Sequence, residues 1–141
     1  ESQPNLKILL SFHTFSELIL YPWGGKNDPI SNKQDLAVYE KMAKMMAGWN
    51  QYPPEQSSDL YVATGDTCDW AWGSKNVFCF TFELTPKSSW EGGVYPGAGA
   101  VAGTFQKNPL PPPPATMSKP ISHSATTAMK PCSVNLIAFV R

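Results

Sequence analysis

An α/β fold with a mostly parallel sheet is predicted by three stretches of this 141-residue sequence. K-I-L-L-S-F (residues 7–12) is a nearly continuous apolar run, short enough for a strand buried on both faces as in parallel sheets. Over residues 32–50, Leu36, Tyr39, Ala43, Met46 and Ala47 recur at three- and four-residue spacing, which predicts a helix with one apolar face. V-F-C-F-T-F-E-L (77–84) is rich in aromatic and β-branched side chains and predicts a second strand.

Each element carries its own boundary signals. The first strand delivers His13 to its end. In L-I-L-Y-P-W-G-G (18–25), Pro22 and the Gly24-Gly25 pair break regular structure and predict a loop. Ser31 with Gln34 three residues on resembles a capping box at the start of the helix, and Gly48 with Pro53-Pro54 predicts its stop. The Gly65-Asp66 step predicts a turn, with a short helical turn over 69–73. Alternation along the second strand puts Cys79, Thr81 and Glu83 on one face and the phenylalanines on the other. Burying a carboxylate at the end of so apolar a strand costs several kcal/mol unless a cation, metal or hydrogen bond compensates it.

The character changes after residue 107. P-L-P-P-P-P (109–114) favours an extended polyproline conformation, and the Ser/Thr/Ala/Pro stretch that follows has no periodicity, so poor order is expected there. An apolar run returns only over 134–140, compatible with strand or helix. The chain therefore divides into an α/β part, 1–107, and an irregular proline-rich tail, 108–141.

Eleven lysines plus arginines balance eleven aspartates plus glutamates, so no net field would draw the protein to nucleic acid or to an anionic membrane. No run approaches the ~20 apolar residues of a membrane span, and the first residues lack a signal-peptide pattern, as if the start were internal to a longer protein. Cys68, Cys79 and Cys132 show no C-x-x-C spacing and allow at most one intrachain disulfide.

On the residues alone, His13 after one strand and Glu83 at the end of another suggest a site at strand C-terminal ends. On pattern alone a hydrogen-bonded core histidine accounts for His13 better than a metal ligand does, and a paired carboxylate accounts for Glu83 as well as a catalytic one. No H-x-x-E or H-E-x-x-H occurs, and the other histidine, His123, falls in the tail.

Three blocks carry a more specific signal: S-F-H-T-F-S-E-L-I-L-Y-P-W-G (11–24), D-L-Y-V-A-T-G-D-T-C-D-W-A-W-G (59–73) and F-C-F-T-F-E-L (78–84). In order and spacing they resemble the C-terminal half of zinc carboxypeptidases of the A, B and T type, nearest the bacterial carboxypeptidase T branch. The resemblance implies part of a three-layer αβα fold, half of a mixed, mostly parallel sheet with flanking helices. It implies that His13 is a zinc ligand, that Glu83 is the catalytic carboxylate, and that Tyr61 is the mobile tyrosine that closes over a peptide's C-terminus. It places Thr14, Phe15, Gly24, Asp59, Leu60, Ala63, Cys68 and Thr81 along the substrate-binding surface, with Cys68 at the base of the specificity pocket. A small neutral residue there implies a preference for apolar C-terminal side chains, while Asp59 implies acceptance of basic ones. Cys68 and Cys79 belong to segments that meet in such a fold, as a disulfide or as two buried thiols.

The family's H-x-x-E ligands and its substrate-binding arginines have no counterpart here, since Arg141 is the sole arginine. Zinc binding by this chain alone is therefore expected to be weak or absent, with a missing N-terminal half as the natural partner. Hydrolysis of peptide C-termini is the activity implied for the family and inactivity is expected of this stretch by itself. A non-catalytic peptide-binding protein derived from the same fold is the alternative. Family resemblance implies secretion.

Overall fold

The computed structural model describes residues 6–108 and 138–140, the latter as backbone only. Strands β1 (Ile8–Thr14), β2 (Leu18–Tyr21), β3 (Pro54–Gln56), β4 (Phe78–Leu84) and β5 (Ala138–Val140) form one mixed sheet in the order β3-β2-β4-β1-β5. Its centre is the parallel β1–β4 pair, in register from Ile8–Phe78 to Thr14–Leu84. β2 runs antiparallel to β4 and parallel to β3, and β5 runs antiparallel to the first half of β1. The strand alternative for 134–140 is thus realised over its last residues. The proline run and the order expected of the tail lie outside the described residues.

The helix expected over 32–50 is α1 (Lys33–Asn50). Its cap is Asn32 rather than Ser31: Asn32 Oδ1 accepts from the Gln34 and Asp35 N–H groups at 2.9 and 3.4 Å, satisfying donors that the first turn leaves open. Gly48 does not stop it, because its open surroundings impose no break. The helix runs on to Gln51, whose left-handed backbone (φ 63°) closes the last turn onto Ala47 O.

The loop expected over 18–25 is a strand as far as Tyr21, since Leu18, Ile19 and Leu20 pair with β4 before Pro22 ends the ladder. The helical turn expected over 69–73 is longer, α3 (Thr67–Lys75), because Asp66 caps it by accepting from Cys68 and Asp69 N–H, and Asn76 (φ 53°) terminates it. A short helix α2 (Ser57–Leu60) precedes it, and α4 (Ala100–Lys107) follows β4.

Strand alternation sorts the core into two layers. On one face Phe80 and Phe82, with Phe78 beside them, pack against Tyr39, Ala43 and Met46 of α1. On the other, Leu9 and Cys79 pack against Cys68 and Ala71 of α3. Helix, sheet and helix thus stack as the expected αβα layers. Tyr39 is the hub of the first layer, with rings of Tyr21, Trp72, Phe78 and Phe80 at 4.9–5.9 Å. Its hydroxyl accepts from Cys79 N–H at 3.1 Å, beyond the last β2 pair, where the strand would otherwise lack a partner. Among the described residues no helix is long and apolar enough to cross a membrane.

Candidate functional site

The parallel register that aligns β1 with β4 sets His13 opposite Glu83. Paired residues of neighbouring strands share a face, so imidazole and carboxylate lie side by side on the α3 side of the sheet, near the strands' C-terminal ends. Both line a cleft of about 80 Å³, together with Leu20, Gly24, Ser57, Leu60, Tyr61, Ala63, Asp66 and Thr81. Four sequence segments meet there: the two strands, the loop after β2, and the stretch from α2 to the cap of α3.

Two short polar ties shape the loop side. Asp69 of α3 accepts from the N–H groups of Gly24 and Gly25, both at 2.8 Å, so one carboxylate satisfies two backbone donors. At Gly24 an added Cβ would lie 3.3 Å from Ser57 Cβ, a tight approach that would push the two segments apart by a few tenths of an ångström. The facing wall is closed by Ala63 N–H donating to Gly24 O at 3.0 Å.

His13 Nε2 is 2.9 Å from Ser11 Oγ, which leaves Nδ1 as the ring nitrogen for a further partner. The Glu83 carboxylate has no hydrogen bond or ion pair among the described residues, and burial pushes its pKa up to about 7. It is thus poised to exchange a proton near neutrality. The folded chain holds this proton more tightly than the unfolded one, so stability is lost as pH rises from the ordinary 4.5 through 7. Relative to the parent, Glu83→Gln should gain about 1–2 kcal/mol at pH 8, allowing for solvent screening, and nothing at pH 4. Urea unfolding at the two pH values measures the difference.

Of the residues singled out by sequence, His13, Gly24, Leu60, Tyr61, Ala63, Thr81 and Glu83 line the cleft. Tyr61 is 66% exposed, free of the packing that would fix its ring. Cys68 stands behind the wall: it is fully buried, disulfide-bonded to Cys79, and its Sγ is 3.4 Å from Thr81 Oγ1. The choice between disulfide and buried thiols therefore falls to the disulfide. Asp59 is exposed on α2. Thr14 Oγ1 donates to Val94 O at 3.2 Å, and Phe15 lies against Gly93. None of these four lines the cleft. Leu20, Ser57 and Asp66 were not singled out. Asp66 had a legible signal, an acidic residue after glycine at a helix start. Leu20 and Ser57 had none, because strand pairing and a close glycine contact bring them in.

The sequence profile of one family, described as zinc carboxypeptidase, matches residues 1–110. A zinc carboxypeptidase of Saccharothrix mutabilis subsp. capreolus is 39% identical over 106 residues, covering 73% of this chain and 24% of that protein. Carboxypeptidase A5 of Macaca fascicularis is 37% identical over 84 residues (57% and 19%), and bovine carboxypeptidase A1 is 33% identical over 84 residues (57% and 20%). The matched part of the chain spans about a quarter or less of the length of these relatives.

Proposed function

Because this chain belongs to the zinc carboxypeptidase family, we propose that it carries one side of a site that removes C-terminal amino acids from peptides. The observation that supports this reading is the in-register pair His13–Glu83 opening into a single cleft. Glu83 takes a proton from the attacking water and returns it to the leaving amine, a role suited to a carboxyl that titrates near 7. Tyr61 closes over the substrate. Gly24, Leu60, Ala63 and Thr81 form the wall for its C-terminal side chain, with Thr14, Phe15, Asp59 and Cys68 flanking or backing that surface. Asp66 adds a carboxylate to the wall, which supports a pocket that accepts basic as well as apolar side chains.

Zinc is the cofactor the family name carries, and the described residues do not fit it by themselves. A catalytic zinc takes about three protein ligands, whereas no three His, Cys, Asp or Glu side chains cluster among the described residues. His13 is one donor of such a set. The remaining donors, and a guanidinium for the substrate's carboxylate, would come from polypeptide outside this sequence, docked against the 1–107 part. The chain alone would bind zinc weakly and hydrolyse nothing. An extracellular setting suits the Cys68–Cys79 disulfide.

Calorimetric titration of the purified chain with zinc tests this directly. Binding no tighter than about micromolar, further weakened by His13→Ala, is expected from so few donors. One-to-one sub-micromolar binding would show that the chain holds its own metal. The incomplete donor set beside a formed cleft favours a second reading, a peptide-binding protein without turnover. Retention of a peptide by its C-terminus, with no cleavage after zinc is supplied together with a complementing carboxypeptidase segment, would select it.

A further inference from the structure

The chemistry above leaves the cysteines unused, yet two of them lie directly behind the cleft. Cys68 sits in the first turn of α3 and Cys79 in β4, both without exposed surface. The residues leading into that turn, Leu60, Tyr61, Ala63 and Asp66, form one wall of the cleft, and Thr81 and Glu83 of β4 form another part of its lining. The polar ties of the first wall, from Ala63 to Gly24 and from Asp69 to Gly24 and Gly25, all lead to the loop after β2. The disulfide instead ties that wall to β4, and its Cys68 sulfur touches the Thr81 hydroxyl that lines the cleft.

We propose that the Cys68–Cys79 disulfide is a redox-operated latch that fixes the width of the cleft, an inference that rests on reading the cleft as the substrate site. A dithiol reductant opens it. One reductant thiolate attacks a cystine sulfur and breaks the S–S bond, and the second closes the reductant's own disulfide. Cys68 and Cys79 each take up a proton as thiols, so two electrons pass from the reductant to the protein. Because both sulfurs are buried, attack waits on local opening of the first turn of α3. A ligand that binds better with the wall held against β4 therefore shifts the equilibrium toward the disulfide, and by reciprocity the reduced protein holds that ligand less well.

Amide hydrogen exchange of the whole chain, oxidised and after dithiothreitol, tests the latch without any catalytic readout. The reporters are Ala63 N–H, bonded to Gly24 O, and Trp70 N–H, bonded to Asp66 O. Reduction should speed their exchange about tenfold or more while amides within α1 keep theirs. The Cys68→Ala/Cys79→Ala variant should show the same local acceleration without reductant. Unchanged exchange at Ala63 and Trp70 would overturn the proposal. So would equal acceleration in α1, which would make the bond a staple of the whole fold. Either result leaves the carboxypeptidase reading standing, since that reading is decided by metal binding and turnover.

Discussion

Glu83→Gln should lower kcat about 10²–10⁴-fold in a chimaera where residues 7–107 of this chain replace the matched segment of the Saccharothrix zinc carboxypeptidase. KM for a C-terminal dipeptide substrate should change little, because the amide keeps the shape of the carboxyl and loses only its proton transfer. Among the described residues the carboxyl has no hydrogen bond or ion pair, and burial pushes its pKa up to about 7 beside His13. A variant that retains kcat would remove Glu83 from the chemistry. Chimaeric activity is measured with and without added zinc.

Tyr39→Ala should cost about 3–5 kcal/mol of folding stability, and Tyr39→Phe about 1 kcal/mol. Tyr39 has no exposed surface and is ringed by four aromatic side chains from three different elements, β2, α3 and β4. Its truncation opens a void that neither the sheet nor α1 can collapse into. Burial holds its hydroxyl neutral, well above the ordinary tyrosine range, so that it can accept from Cys79 N–H at any working pH. The phenylalanine variant keeps the packing and loses that one acceptor. Urea midpoints of the two variants separate packing from hydrogen bonding. Equal losses would show that the ring contacts contribute little.

The two long strands and the main helix were legible because their apolar patterns are local. Residues 7–12 and 77–84 are apolar enough to be strands, and alternation alone put Glu83 on the face that bears the cleft. β2 was obscured by the loop signals of Pro22, Gly24 and Gly25, which follow it immediately. Its pairing to β4 depends on a partner some distance along the chain. Asn32 displaced Ser31 as the cap of α1 by a single position, a difference decided by backbone geometry. Much of the cleft was accessible through family resemblance, since His13, Tyr61 and Glu83 stand within matched blocks. Asp69 escaped notice because its function is to receive two glycine N–H groups, a relation written in three dimensions. Cys68 was assigned to the pocket by resemblance, and its bond to Cys79 holds it behind Thr81.

The central β1–β4 pair has a kinetic consequence. β2, α1, β3, α2 and α3 are all inserted between its two strands, so their pairing closes a large loop and is entropically expensive. Local helices such as α1 can form and dissolve many times before that closure succeeds. His13 and Glu83 become neighbours only with it, so the cleft they line should form late in folding. A chain in which that closure has not occurred carries both residues without the cleft they line.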